Sequence, residues 1–273
     1  MILTAALATA TLTLAAQTKT QVIAHRGFHA TEGSAPNTVS SLRNAQKLGI
    51  YGSECDVNMT SDDSLVVVHG KWHLGRKDPQ RVHVQNDDYK TVRSRSCENG
   101  NILPSLHEYL EQTKADDKMR LVIEIKSHDT PEREKQVTEA IIEQVKAAGL
   151  EKQVDYIAFS TVVCDEVVRL APNNEIAYLN GDFDPATVKE RGYTGIDYAK
   201  KILKEHPEWI AEAQKLGLKV NVWTVNDTDE IQYFIDKKVD FITTDNPLEV
   251  IRLLEKADAE AGKCKSENKS KKR

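Results

Sequence analysis

This chain of 273 residues has no net positive charge, few cysteines and few long apolar runs. Its 37 Lys and Arg stand against 42 Asp and Glu, a formal charge of -5. No basic field is therefore available to cover nucleic acid. An anionic small molecule is not excluded, because a local cluster of cations can oppose the net charge. The four cysteines, Cys55, Cys97, Cys164 and Cys264, have spacings that match no zinc or redox motif. Cys55 falls inside an expected strand and reads as a buried thiol. One apolar stretch opens the chain, MILTAALATATLTLAAQ, and its core at 2–16 is short for a bilayer span. It has the length of a signal-peptide core, with Leu14, Ala15 and Ala16 before a cleavage point at Gln17. No Lys or Arg precedes it, unlike the usual start of such a segment. The expectation is a secreted or periplasmic protein with no stable membrane span in the mature chain. At the other end, 257–273 is charged, lacks apolar periodicity and reads as a disordered basic tail.

What is present is a regular alternation. Short β-rich runs occur at 22–25, 52–57, 121–125, 154–160, 175–180, 194–198, 219–225 and 240–244. A helical pattern follows each of them. Pro36 suits the first turn of a helix reaching Leu48, with Gly49 as its cap. Thr130 and Pro131 read as N-cap and first position of another, which Gly149 ends. Pro207 to Leu216 reads as helix, Asp227 and Glu230 as a capping box, and Asn246-Pro247 as the start of the closing helix. Eight strands, each followed by a helix, predict a (β/α)8 barrel over 17–256. A doubly wound open sheet is the rival architecture.

One connection breaks the rhythm. Some sixty residues separate the second and third core strands, far more than an ordinary βα loop. The part at 58–103 begins with a hairpin-like run, NMTSDDSLVVVHG, and a helix near Leu106–Thr113 rejoins the barrel. An insertion there sits at the C-terminal face of the barrel and is expected to cap an active site.

Glu54 and Asp56 are two apart in a strand, so both point to one face while Cys55 points away. Glu124 and Lys126 repeat this geometry on the next core strand. Three carboxylates would meet at the barrel mouth, and buried like charges need neutralising. Either a divalent cation does so, with Mg2+ or Ca2+ suiting all-oxygen ligands, or cations such as Lys126 pair with them. Of eight histidines, His25 and His69 end β-rich runs and would reach the same mouth, placed to give and take protons. The other six, at positions 29, 73, 83, 107, 128 and 206, lie in polar segments and need no special role. Arg26 follows His25, and its planar fork suits a phosphate; Gly27 allows close backbone approach. A cation site beside Arg26 and Lys126 fits an anionic oxyester.

The segments AHRG (24–27), APNT (35–38), GSECDVNMT (52–60), LVVVHG (65–70), EIK (124–126), VWTVND (222–227) and ITTDNP (242–247) resemble, in order and spacing, the glycerophosphodiester phosphodiesterase family. The resemblance implies a TIM barrel that hydrolyses glycerophosphodiesters to an alcohol and sn-glycerol 3-phosphate. It implies Glu54, Asp56 and Glu124 as ligands of one divalent cation, Ca2+ or Mg2+, and His25 and His69 as the acid–base pair. It implies substrate contacts from Arg26, Asn37, Lys126 and Trp223. Two positions depart from the family pattern. Pro36 stands where a Glu is usual, and Gly70 where an Asp usually follows the histidine. The proposed ligands and histidines are untouched, but selectivity for the glycerol headgroup is left open. Two alternatives follow: a phospholipase-type phosphodiesterase forming a cyclic phosphate, and a non-catalytic binding barrel.

Overall fold

The computed structural model describes residues 20–74 and 81–270. In chain order its strands are β1 (Gln21–Ala24), β2 (Gly52–Met59), β3 (Leu65–Val67), β4 (Trp72–Leu74), β5 (Arg81–His83), β6 (Arg120–Ile125), β7 (Val154–Ala158), β8 (Ile176–Tyr178), β9 (Gly195–Ala199), β10 (Lys219–Trp223) and β11 (Phe241–Thr244). The helices are α1 (Val39–Gln46), α2 (Tyr89–Arg93), α3 (Leu106–Thr113), α4 (Pro131–Ala148), α5 (Thr161–Leu170), α6 (Pro185–Glu190), α7 (Lys200–Glu205), α8 (Glu208–Lys215), α9 (Thr228–Asp236) and α10 (Pro247–Ser270).

Eight of the strands pair in parallel in the order β1-β11-β10-β9-β8-β7-β6-β2, and a β1–β2 pairing closes the ring. The eight expected core strands are these eight, so the sheet is a closed (β/α)8 barrel and not an open one. Closure follows from the residues facing each side. The outer faces of the strands carry Val22, Ala24, Cys55, Val57, Leu121, Ile123, Tyr156, Val220 and Val222, all buried in one core shared with the helices. Full burial of one such aliphatic side chain contributes about 1.5–3 kcal/mol. Inside the barrel a smaller cluster of Ile23, Val122, Ile157 and Leu179 fills the axis. With apolar side chains packed on both faces, the strands have no solvent face and no free edge.

The inserted segment forms the expected hairpin. β3 runs antiparallel to β2, with Val57 opposite Val67 and Met59 opposite Leu65. β4 and β5 make a second small ladder, and Val66, Val68, Val84, Val92, Cys97 and Leu103 pack as a satellite core with Ala35. Asn58 ties the insertion to the barrel: its amide donates to the Val68 carbonyl at 2.8 Å and its oxygen accepts from Gln85 at 2.8 Å.

Several local expectations need correction. α1 starts at Val39 with Thr38 as N-cap, not at Pro36, because Asn37 takes a left-handed φ of 59° that no helix continues through. Asp227 caps α9, but the box is one-sided: the Glu230 carboxylate turns instead to Lys200 and Lys204, each 2.5 Å away. The stretch after β9 holds an extra helix, α7, that was not expected ahead of the helix read from Pro207 to Leu216. The closing helix α10 runs to Ser270, so most of the expected disordered tail is helical. Its Ala, Glu and Lys residues are good helix formers, and that propensity outweighs the missing apolar face. The expected signal segment at 1–16 and the last three residues lie outside the described residues. No helix among the described residues is long and apolar enough to cross a membrane.

Candidate active site

Strand register decides which side chains meet. β2 and β6 pair in parallel with Asp56 beside Glu124 and Cys55 beside Ile123. Inward and outward residues alternate, so Glu54, Asp56 and Glu124 all turn into the barrel mouth while Cys55 joins the outer core. One oxygen of each of the three acids lies within 4.8 Å of the others, and all three acids are buried. Lys126 reaches the same point, 2.5 Å from Glu124 Oε1 and 3.2 Å from Asp56 Oδ1. Lys126 pairs with two of the three acids, and one ammonium cannot offset three carboxylates.

The electrostatics follow from that imbalance. Burial, then the Asp56 charge, pushes Glu124 up to about 8. Burial and the charges of Asp56 and Glu124 push Glu54 well above the usual carboxylate range. Burial also acts on Asp56, but Lys126, His69 and the Asn37 amide outweigh it and hold that carboxyl low. Burial works against the charge of Lys126 as well; Asp56 and Glu124 reverse it and keep the ammonium protonated. Glu54 Oε1 is buried without a hydrogen-bond partner. An orphaned oxygen inside a cluster of acids fits a hard divalent cation, the group that such a cluster takes.

The turn after β1 is built around these acids. Arg26 and Gly27 adopt φ of 54° and 77°, which lets the Arg26 backbone N–H donate to Glu54 Oε2 at 2.8 Å. A Cβ on Gly27 would lie 2.4 Å from Ser41 Oγ, so no other residue fits without shifting α1. Asn37, also left-handed, donates to Asp56 Oδ2 at 2.7 Å and accepts from the Asp56 N–H at 3.1 Å. The Arg26 guanidinium lies 3.9 Å from Asp245 Oδ1, and its Nε is buried without a partner.

His25 and His69 line one cleft with Glu54, Glu124, Lys126, Phe159, Leu179, Asp197, Trp223 and Thr243. His69 is set there by β3, whose continuation at Val68 donates to the Asp56 carbonyl at 2.9 Å. Burial pulls the His69 imidazole below its usual value, against the opposing pull of Asp56. His25 hangs from the end of β1, and its Nδ1 lies 2.8 Å from Asp245 Oδ1. Trp223 closes one wall, its indole N–H donating to the Asp197 carbonyl at 2.8 Å.

All nine residues singled out from the sequence therefore gather at the C-terminal mouth. Asp245, His29, Phe159 and Asp197 were missed. His29, read as needing no role, places Nε2 3.1 Å from the same Asp245 oxygen that holds His25. His128, read the same way, is buried, with Nδ1 2.8 Å from the Lys126 carbonyl. It helps fix the end of β6. The position of Asp245 just past a strand end and that of Asp197 inside the β-rich run at 194–198 were usable signals; nothing in the sequence marked His29.

Comparison with known proteins gives the family and the fold. The model of the glycerophosphoryl diester phosphodiesterase family matches residues 25–249. A glycerophosphodiester phosphodiesterase of Caldanaerobacter subterraneus is 28% identical over 249 residues, covering 87% of this chain and 99% of that protein. The crystal structure of a glycerophosphodiester phosphodiesterase from Parabacteroides distasonis superposes with a TM-score of 0.85 at 42% identity, covering 89% of this chain and 99% of that one. A phosphodiesterase of Oleispira antarctica, solved with its product sn-glycerol-3-phosphate, shares the fold at a TM-score of 0.72 and 20% identity, covering 86% and 96%.

Proposed function

Since the chain belongs to the glycerophosphoryl diester phosphodiesterase family, we propose that it hydrolyses glycerophosphodiesters to an alcohol and sn-glycerol 3-phosphate. The observation that carries this reading is the convergence of three buried acids, one lysine and two imidazoles on a single cleft. Glu54, Asp56 and Glu124 would hold a divalent cation, Mg2+ or Ca2+. When bound, that cation supplies positive charge to phosphoryl oxygens.

The chain's own groups do the rest. Lys126 and Arg26 place fixed positive charge around the diester and orient it. His25 and His69 work on opposite protons: one takes the proton of the attacking hydroxyl, the other returns one to the departing alcohol oxygen. His25 is oriented for proton transfer through Nε2, because Asp245 grips Nδ1. His69, kept neutral by burial, suits the base. Trp223, Phe159 and Leu179 supply apolar wall. Export belongs to the same reading and rests on the apolar stretch 2–16; N-terminal sequencing of the mature chain should begin at Gln17.

The test is release of sn-glycerol 3-phosphate from a glycerophosphodiester, with and without chelator. Activity should vanish with EDTA and return with Mg2+ or Ca2+. His25→Ala and His69→Ala should each lower kcat by about 10²–10⁴-fold with the fold retained. Near-normal turnover in both variants would reject the assignment. A cyclic phosphate as product would replace water by the substrate's own hydroxyl as the attacking group.

A further inference from the structure

The turn between β1 and α1 carries a histidine that the mechanism above does not use. Arg26 and Gly27 take left-handed φ of 54° and 77°, and the Gly27 N–H donates to the Ala24 carbonyl at 3.2 Å. The Phe28 N–H donates to the Ser41 carbonyl at 3.0 Å, and Phe28 joins the outer core. The chain reverses there, so His25 and His29, four positions apart, converge on one oxygen of Asp245. Nδ1 of His25 lies 2.8 Å from Oδ1, and Nε2 of His29 lies 3.1 Å from it.

Acceptor capacity at that oxygen is limited. Burial works to raise the Asp245 carboxyl, and the hydrogen bonds of His25, His29 and Asn226 outweigh it, so the group stays ionised. An ionised carboxylate only accepts, and each of its oxygens has about two lone-pair directions. Both nitrogens that face Oδ1 therefore carry hydrogen, which assigns His25 the Nδ1–H tautomer and leaves proton exchange to Nε2. The Asn226 amide donates to Oδ2 at 2.7 Å, and the Asn226 oxygen accepts from the Asp245 N–H at 2.9 Å. The Arg26 guanidinium stands 3.9 Å from Oδ1, too far for a hydrogen bond. With both histidines in place, Oδ1 has no acceptor direction left for it. Without His29 one opens, beside a guanidinium whose planar fork binds carboxylates strongly. Arg26 would then compete for the oxygen that holds the His25 ring.

Resting on the hydrolase reading above, we propose that His29 is a positioning residue: it fills the second acceptor direction of Asp245 Oδ1, which holds the His25 ring in one tautomer and keeps Arg26 off that carboxylate. His29 touches no reacting atom in this scheme. Its Nε2–H donor is the property that matters, and charge on its ring is not needed. A glutamine amide at the same position offers a neutral N–H donor and replaces it; leucine, of comparable bulk, offers none.

The experiment measures kcat/KM on glycerophosphocholine, with Mg2+ or Ca2+ present, in wild type, His29→Leu, His29→Gln, Asp245→Ala and the double variant His29→Leu/Asp245→Ala. His29→Leu should lower kcat/KM by about tenfold, and His29→Gln should recover most of that loss. Because His29 acts through Asp245, adding His29→Leu to Asp245→Ala should lower kcat/KM no further. Nitrogen-15 NMR of the His25 ring gives a readout that needs no turnover. Wild type and His29→Gln should show Nδ1–H as the single neutral form, and His29→Leu a mixture with Nε2–H. His29→Ala serves as a second variant in case leucine is not accommodated, with the same mixture expected. A His25 ring that stays wholly Nδ1–H in both variants, or a loss that persists undiminished in the Asp245→Ala background, would overturn the proposal. If wild type releases no sn-glycerol 3-phosphate, the hydrolase reading fails while the ring tautomer still decides the role of His29.

Discussion

Asp245 receives His25 and His29 on one oxygen, at 2.8 and 3.1 Å, and Asn226 on the other at 2.7 Å. Burial alone would raise this carboxyl; the hydrogen bonds of His25, His29 and Asn226 reverse that and hold it far below the ordinary range. It therefore stays ionised throughout the working range and fixes the His25 ring. Asp245→Asn replaces an acceptor by a group that can also donate, which upsets the imidazole tautomer, and kcat should drop by about 10²-fold or more. The sign of the stability effect is set by the direction of the shift. A depressed folded pKa contributes stability above the unfolded value of about 4 and loses it as pH falls. The stability lead of wild type over the variant should thus be present at pH 6 and shrink toward pH 2, as read from urea unfolding across pH. At Gly27 the backbone argument is steric. Gly27→Ala puts a Cβ against Ser41 at a φ of 77°, and stability should fall by roughly 2–4 kcal/mol in denaturant unfolding. Gly70 has a related cause. A Cβ there would meet the Trp72 carbonyl at 3.2 Å, so the tight exit from His69 into β4 crowds any residue larger than glycine.

Among the elements, α4 was the most legible. Thr130 caps it, Pro131 opens it and Gly149 ends it in the left-handed region at φ 71°, each as read from the sequence. Thr130→Ala removes the acceptor for the Arg133 N–H and should cost about 1 kcal/mol in thermal or chemical unfolding, with kcat unchanged. α1 was less legible because the residues before it serve the site. Asn37 spends its side chain and its backbone strain on Asp56, so the Pro36 signal for a helix start was overruled by a tertiary bond. Glu230 shows the same competition: two lysines of α7, Lys200 and Lys204, outcompete the local capping role.

For the whole molecule, the three acids make stability depend on pH and on cation together. Glu124 at about 8 and the raised Glu54 bind protons in the folded chain that the unfolded chain has released above about 4.5. The folded state then holds more protons, and stability falls as pH rises from about 4.5 to 8. A divalent cation that binds only the folded site opposes this loss and adds about 2.7 kcal/mol at a hundred times its Kd. Mg2+ or Ca2+ should therefore raise Tm more at pH 8 than at pH 5, and EDTA should abolish the difference. An equal shift at both pH values would show that the acids do not hold the ion.

From the amino-acid order alone came the number of strands, their inward and outward faces, and the acids, imidazoles and lysine at the mouth. Those properties are local: strand pleating has a period of two, and burial of charge is visible as carboxylates set inside apolar runs. Closure of the ring decided the remainder. It brought Asp245, just past the last strand, to His25, just past the first and 220 positions earlier, and set Asp197 across the cleft from the three acids. Such pairs have no period along the chain, because the distance between them is fixed by the barrel's circumference and not by the pitch of any element.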